Sequence, residues 1–294
     1  MDDILNVLRQ MESPEGSHEK PIAFVEPEVT LLGVTRPADG GSVEQHLERA
    51  ARECYKSQKK MASDTTERFL RGIIVRGHES ILEHASATFK VVGGSRAYTH
   101  EQVRHRLLSF SQQSQRFVSE ANFRAIIPPQ IAANPEAVEV YKAFLRAARA
   151  LYKRLKDAGI RNEDARFVLP NAVESGIVIS GNFREWRHVI SLRLAPNAQW
   201  EIRAITAKIL DILEREAPTV FGDFILNVSD NTVTHLSETV SCEEARSTIV
   251  MALTKEPQIL KSLGDTGVYA ALFHVKRCLS SPCRETLDSC GDLK

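Results

Sequence analysis

The stretch from Arg104 to Phe117 constrains the fold most. It is rich in cations and polar side chains, which a buried core seldom contains, so most of it is expected at a surface. It reads RHRLLSFSQQSQRF. Arginine presents a planar fork of donors for phosphate oxygens, and Ser and Gln add neutral donors. The pattern favours an anion-binding surface, and the alternative is a solvated basic helix face.

The residues before this stretch weaken that alternative. The pattern predicts helical turns here, and positions three and four apart are neighbours on a helix. Glu101, Arg104 and His105 are therefore expected on one face. That face carries both signs of charge, unlike a plain basic surface.

The composition limits the class of protein. A chain of 294 residues makes one large or two ordinary domains. Lys plus Arg and Asp plus Glu both number 38, so no global field favours a polyanion, and we expect no nucleic-acid partner. We find no apolar run of membrane-spanning length and no basic leader in Met1-Asp2-Asp3. The absence of such segments predicts a protein without membrane contact. Its five cysteines, an odd number, predict free thiols and therefore a cytoplasmic location.

Hydrophobic periodicity predicts the main elements. The expected strands cover residues 28–35, an edge strand containing Ala85, Ala87, Phe89 and Val91, and residues 123–127. The expected helices begin after Ser42, run over about 65–75, and form a long amphipathic helix with Val138, Tyr141, Phe144, Leu145, Ala148, Leu151, Tyr152 and Leu155 on its buried stripe.

A second polar segment is predicted to be a helix capped by Asn182 and ended by Pro196. Trp186, Val189 and Ile190 are expected on one side, with Arg184, Arg187 and His188 on the other. Asn197 is expected to cap the next helix, and such a polar face is usually solvated.

Two clusters invite a metal hypothesis. His78, Glu79, Glu83 and His84 lie close together, but their spacing matches neither HExxH nor HxxEH. Near the end, His274, Cys278, Cys283 and Cys290 match no standard zinc spacing. We therefore expect no metal, and a metal hydrolase built on His78 and His84 ranks last among the functions considered.

The polar stretch resembles the signature of the flavin-dependent thymidylate synthases, which is Arg-His-Arg followed seven residues later by Ser. These residues are Arg104, His105, Arg106 and Ser114, and the fuller pattern continues through Ser109, Ser111-Gln112 and Arg116-Phe117. Gln112 lacks the carboxylate and Phe117 the phenol hydroxyl that many members have. Further matches are Gly-His-Glu-Ser at 77–80, Ala-Arg-x-x-Leu-Pro at 165–170, Asn-x-Arg at 182–184 and Leu-Arg at 192–193. The resemblance runs from about Val29 to Phe224.

The resemblance implies reductive methylation of dUMP to dTMP, with 5,10-methylenetetrahydrofolate as carbon donor, FAD as redox carrier and NADPH as reductant. It also implies a homotetramer with shared sites and an α+β fold with a mixed or antiparallel sheet packed with long helices. No GxGxxG loop is present, so a Rossmann domain is not expected.

The resemblance also implies roles for individual residues. Implied flavin contacts are Ser80, Arg104, His105, Arg106, Gln112, Asn182, Phe183, Arg184 and His188. Implied dUMP contacts are Glu101, Arg104, Gln112, Gln113, Ser114, Gln115, Arg116, Arg166 and Arg193. Arg193, expected nearest the uracil, is the catalytic candidate, and His78 is expected to face the flavin and folate side.

We predict an N-terminal extension over 1–20, a catalytic domain over 21–226 and a helical C-terminal extension over 227–294. The alternative function is a non-redox nucleotide- or RNA-binding module that uses the Arg-His-Arg face. The second polar segment, 182–193, discriminates between the two, because a simple phosphate-binding module does not need it.

Overall fold

The computed structural model of the protein describes residues 21–62, 64–227 and 232–235. Its strands are β1 (Glu28–Val34), β2 (Ser86–Ser95), β3 (Ser109–Gln112), β4 (Glu174–Asn182), β5 (Phe224–Asn227) and β6 (Thr232–His235). Its α-helices are α1 (Val43–Cys54), α2 (Thr66–Val75), α3 (Arg96–Gln102), α4 (Pro129–Ala132), α5 (Pro135–Asp157), α6 (Asn162–Ala165), α7 (Phe183–Arg193), α8 (Trp200–Glu216) and α9 (Pro218–Phe221). Short 3₁₀ helices cover Gln58–Lys60, Glu79–His84 and Arg166–Val168.

A four-stranded antiparallel sheet in the order β1-β2-β4-β3 forms the centre of the fold. The buried alternation of Ala87, Phe89 and Val91 in β2 is confirmed. Its predicted position at the edge is wrong, because β1 and β4 pair with its two sides. Strands β3 and β4 were not predicted from the sequence. An antiparallel sheet packed with helices confirms the α+β prediction, and the described residues contain no parallel Rossmann sheet.

The segment predicted as a strand over 123–127 forms only isolated bridges. Ala125 pairs with Phe24 on one side and with Val173 on the other, and no ladder continues from either pair. Pro128 and Pro129 follow at once and have no N–H to extend the pairing. The prediction of a strand here is therefore wrong.

Local capping determines where the main helices begin. Ser42 and Asn182 each form a capping box, with Gln45 and Glu185, as the sequence predicted for the two cap residues. Helix α7 ends at Arg193, before Pro196. The cap predicted at Asn197 is wrong, because the side chain of Gln199 accepts from the N–H groups of the first turn of α8 instead.

The long helix α5 confirms the amphipathic prediction in part: Leu145, Ala148 and Tyr152 are buried, whereas Val138, Tyr141, Leu151 and Leu155 are only partly buried. Phe144 was expected in the buried stripe, but it is 43% exposed. Ala143 and Ala147 are buried in its place, since the smaller side chains allow close approach to the neighbouring elements. No helix among the described residues is both long and apolar enough to cross a membrane.

The main core lies between the sheet and helices α1, α2, α7 and α8. Trp186 of α7 is fully buried, meets Phe89 of β2 edge to face at 5.1 Å, and donates from its indole N–H to the carbonyl of Ala87 at 3.1 Å. This contact joins the helix to the central strand. Helix α7 is thus fixed against the sheet, and so is the polar face that it presents.

The described chain extends past the predicted domain boundary at 226/227. Strands β5 and β6 form an antiparallel hairpin whose pairs run from Phe224 with His235 to Asn227 with Thr232. The predicted extension over 1–20 and most of the predicted extension over 227–294, including its cysteines, lie outside the described residues. The domain division stays a prediction.

Candidate active site

The guanidinium of Arg193, the last residue of α7, is fixed by groups from α3 and the turn after it. Its Nε donates to Nε2 of His105 at 2.7 Å, and its two terminal nitrogens donate to the carboxylate and the main-chain carbonyl of Glu101 at 3.0 and 2.9 Å. The Arg193 side chain is only 13% exposed. Residues about ninety positions apart in sequence thus form one rigid unit, which we call the Arg193 cluster (Glu101, His105 and Arg193).

His105 is a neutral acceptor in this cluster. Burial, the positive charge of Arg193 and the neighbouring His188 lower the pKa of His105 to about 4, against the raising effect of Glu101. The rings of His105 and His188 meet edge to face at 6.2 Å. Because Nε2 accepts from Arg193, the ring proton belongs on Nδ1.

The Arg-His-Arg segment does not lie on the helix face that was predicted. Helix α3 ends at Gln102, so Arg104 and His105 lie in the turn that follows. The predicted proximity still holds, because a nitrogen of Arg104 lies 3.7 Å from the Glu101 carboxylate. Arg104 and Arg106 are both exposed, whereas His105 is buried.

A second group of arginines surrounds Glu163. Arg116 and Arg161 lie 3.3 and 2.5 Å from its carboxylate oxygens, and Nε of Arg166 donates to its main-chain carbonyl at 3.2 Å. Arg116 and Arg166, both predicted to contact dUMP, are therefore brought to one residue although they are fifty positions apart. We call this group the Glu163 cluster (Arg116, Arg161, Glu163 and Arg166).

Glu163 and Arg161 were not predicted as site residues. The signal was present, since Glu163 lies three positions before Arg166, a spacing at which opposite charges meet on one helical turn. Arg96, at the start of α3, also lies near. Burial and the charge of Arg166 lower the pKa of Arg96, while Glu120 opposes this effect.

Ser114 and the glutamines beside it are tied to the protein scaffold. Gln112 donates to the hydroxyls of Thr99 at 2.7 Å and Ser175 at 3.3 Å, and Gln113 donates to Glu120 at 3.3 Å. Gln115 is buried, and the Ser114 hydroxyl accepts from the N–H of Arg116 at 3.3 Å.

These bonds join β3 to α3 and β4. In this arrangement the amide of Gln112 has protein partners, so any contact with a ligand uses its remaining capacity. Gln115 is buried and so offers a ligand little surface.

Several of the implied flavin residues lie on or next to α7 and the 3₁₀ helix Glu79–His84. Arg184 pairs with Glu83 at 2.5 Å, and both side chains are about half exposed. Ser80 and His78 are also exposed, and Nδ1 of His78 lies 3.4 Å from the Tyr55 hydroxyl. Exposed guanidinium and hydroxyl donors on neighbouring elements fit the diphosphate and sugar of a flavin dinucleotide.

Two residues of α7 are not on the exposed polar face. Phe183 is fully buried and meets Phe221 edge to face at 5.0 Å, so its side chain is unavailable to a cofactor. Arg187 was expected beside Arg184, but it is 5% exposed and forms a two-pronged pair with Asp223, with both N–O distances 2.7 Å. That expectation is wrong, because the helix buries this position against the segment after α9.

The described residues contain no group of three or more His, Cys, Asp or Glu side chains arranged to hold a metal ion. His274, Cys278, Cys283 and Cys290 lie outside the part of the chain that the structure describes.

Comparisons with known proteins show which family the chain belongs to. The family model described as thymidylate synthase complementing protein matches residues 41–219. A flavin-dependent thymidylate synthase of Mycobacteroides abscessus is 42% identical over 221 residues, covering 69% of this chain and 88% of the relative. Another, from Geobacter sulfurreducens, is 44% identical over 183 residues, covering 59% and 78%.

The fold also matches a solved structure, that of a UMP/dUMP methylase of Streptomyces cacaoi bound with 5-Br dUMP. The TM-score is 0.59 at 23% identity, covering 68% of this chain and 95% of that one. Fold and sequence together define a flavoenzyme of the methylating class. The chain belongs to the family of flavin-dependent thymidylate synthases.

Proposed function

We propose that the protein converts dUMP to dTMP by reductive methylation, with FAD as its cofactor and with 5,10-methylenetetrahydrofolate and NADPH as co-substrates. Family membership supports the reaction. The observation that supports the residue roles best is the Arg193 cluster, in which His105 and Glu101 hold one buried guanidinium in a single orientation.

The two clusters have different roles in this proposal: the Glu163 cluster binds the phosphate of the nucleotide, and the Arg193 cluster acts on its base. Ser114, Arg116 and Arg166 bind its phosphate, because two of them are cations already gathered in one place. Glu101 and Arg104 lie at the base and sugar. Arg193 stabilises negative charge on the pyrimidine, since a fixed guanidinium in a partly dry site needs little reorganisation as charge develops.

The flavin residues proposed are Ser80, Arg104, His105, Arg106, Gln112, Asn182, Arg184 and His188, with Phe183 acting through its main chain. Bound flavin in its reduced form supplies the hydride that the methylation requires. The protein residues hold the anionic groups and exclude water. His78 is exposed and directly precedes the 3₁₀ helix Glu79–His84, and it is proposed to face the flavin and folate side.

We also propose a homotetramer with sites shared between subunits. Phe117 and Phe167, each next to an arginine of the Glu163 cluster, are 81% and 83% exposed. Large apolar side chains beside a polar site are typical of surfaces that a partner covers. Sedimentation equilibrium measures the assembly, and a monomer at micromolar concentration contradicts this part of the proposal.

The test of the reaction is dTMP formation by the purified full chain. The protein should be yellow after incubation with FAD and gel filtration, and should form dTMP from dUMP only when methylenetetrahydrofolate and NADPH are both present. A protein that binds no flavin but retains nucleotide or RNA supports the non-redox binding module instead. The cytoplasmic location stays a prediction.

A further inference from the structure

The carboxylate of Glu163 lies among the arginines proposed to bind the phosphate of dUMP. It contacts Arg116 at 3.3 Å and Arg161 at 2.5 Å. The Glu163 side chain is 27% exposed and that of Arg116 is 56% exposed. Both groups thus reach solvent, and an incoming anion can approach them without opening the core.

The local charge favours an exchange of anions. One carboxylate faces Arg116 and Arg161, while Arg166 contacts only its main-chain carbonyl and lies near the partly buried Arg96. A phosphate monoester carries about 1.5 to 2 negative charges at pH 7, more than the single charge of a carboxylate. It also offers three acceptor oxygens in place of two, so a nucleotide phosphate can satisfy more of these donors than Glu163 does.

We propose that the Glu163 carboxylate is an internal competitor for the nucleotide phosphate: it pairs with Arg116 in the nucleotide-free enzyme and is displaced when dUMP binds. The inference rests on the function proposed above. It adds a determinant of specificity, because a nucleoside without phosphate has no group that can displace the carboxylate. Glu163 therefore weakens dUMP binding while it keeps Arg116 paired in the free state.

A purely positioning role predicts the opposite sign. If Glu163 served to hold Arg116 in place for the ligand, its removal would weaken dUMP binding. A competitor, once removed, leaves dUMP bound more tightly. The sign of the change in Kd therefore decides between the two.

The experiment compares Glu163→Gln with the wild type, both as the full chain loaded with FAD, by calorimetric titration with dUMP and with deoxyuridine. Glutamine keeps the shape of the side chain and the main-chain carbonyl that accepts from Arg166. We expect the Kd for dUMP to fall about two- to fivefold, the range for loss of one half-exposed ion pair. The Kd for deoxyuridine should stay unchanged.

A matched control is Glu139→Gln, which removes an exposed carboxylate paired with Lys142 at 3.1 Å on α5. It changes the net charge equally and should leave the Kd for dUMP within about twofold. Glu163→Ala, a second variant, should shift the Kd for dUMP in the same direction as Glu163→Gln. An unchanged or higher Kd in both Glu163 variants overturns the inference. Failure of the wild type itself to bind dUMP instead contradicts the proposed function.

Discussion

The Arg193 cluster and the Glu163 cluster hold their arginines in different ways. Arg193 is nearly buried and makes three directed hydrogen bonds, two of them to neutral acceptors. Arg116 is more than half exposed and makes a single ion pair in its cluster. The first arrangement fixes one geometry before any ligand arrives, and the second can exchange partners. This difference fits the roles proposed above, in which Arg193 stabilises charge in the transition state and Arg116 binds the phosphate.

Replacement of Arg187 is expected to have the largest effect on stability. It tests how firmly α7, the helix that carries Arg193, is held in the fold. Replacing Arg187 with Met leaves Asp223 without its two-pronged partner in a place that is only 14% exposed. We expect a loss of about 3 to 5 kcal/mol in the free energy of unfolding, as for a broken buried pair. Urea unfolding measures it.

The matched control for that variant is Arg184→Ala, three positions earlier on the same helix. Its pair with Glu83 is about half exposed, so its loss should change the unfolding free energy by at most about 1 kcal/mol. Equal effects of the two substitutions would remove the distinction between a buried and an exchangeable arginine.

The lowered pKa of His105 makes the stability of the folded protein depend on pH. Its pKa is lowered from 6.5 to about 4 in the folded protein, so the unfolded chain binds a proton more readily. The stability that the neutral ring contributes is therefore fully present above about pH 6.5 and is lost as the pH falls toward 4. The loss should reach about 3 kcal/mol at pH 4.

The measurement is urea unfolding of wild type and His105→Gln between pH 7 and pH 4. Glutamine retains an acceptor for Arg193 but does not titrate, so the difference between the two curves isolates the ring. Parallel curves over this range would show that His105 titrates normally.

Arg193→Ala should reduce kcat without preventing the binding of flavin. A charge-assisted hydrogen bond in such a site contributes about 1.5 to 3 kcal/mol, which corresponds to a loss of about 10- to 160-fold. Steady-state kinetics at saturating dUMP, with flavin occupancy checked by absorbance, measures it. Retained turnover would assign the charge stabilisation elsewhere.

Ser114→Ala should have the smallest effect of these substitutions. It should weaken dUMP binding more than it slows turnover, as expected if Ser114 and the Glu163 cluster bind the phosphate. Loss of one neutral hydrogen bond raises KM for dUMP about two- to tenfold, with kcat changed less. Ser119→Ala is the control, because its hydroxyl also accepts from the N–H two residues on, at 3.4 Å, and no site role is assigned to it. A loss of turnover at saturating dUMP in Ser114→Ala alone would point to a serine nucleophile.

Features set by nearby residues were predictable from the sequence, and long-range partners were not. The caps at Ser42 and Asn182 depend on residues three positions away, so the local pattern revealed them. Arg187 pairs with Asp223, which lies thirty-six positions later in the sequence. Hydrophobic periodicity cannot predict a pair between residues so far apart. For this reason Arg187 was wrongly predicted to lie on the exposed polar face of α7.

The missed strand β4 did have a signal. Ser175, Ile177 and Ile179 are buried in alternation, which is the period of a strand. Ser175 and Gly176 at one end of this run, and Ser180 and Gly181 at the other, lower its apparent strand propensity, and pairing with β2 supplies what propensity lacks. The residues of the Arg193 cluster could be named from the family pattern. Their mutual hydrogen bonds required the fold.

The two strand-to-helix junctions of the site contain no connecting residues. Ser95 is both the last residue of β2 and the cap of α3, and Asn182 is both the last residue of β4 and the cap of α7. One inserted residue at either junction would rotate the following helix by about 100° and turn its polar face away. Natural variation in length is thus expected to avoid these two points and to collect in loops, and an engineer who grafts new loops onto this scaffold should leave both junctions untouched.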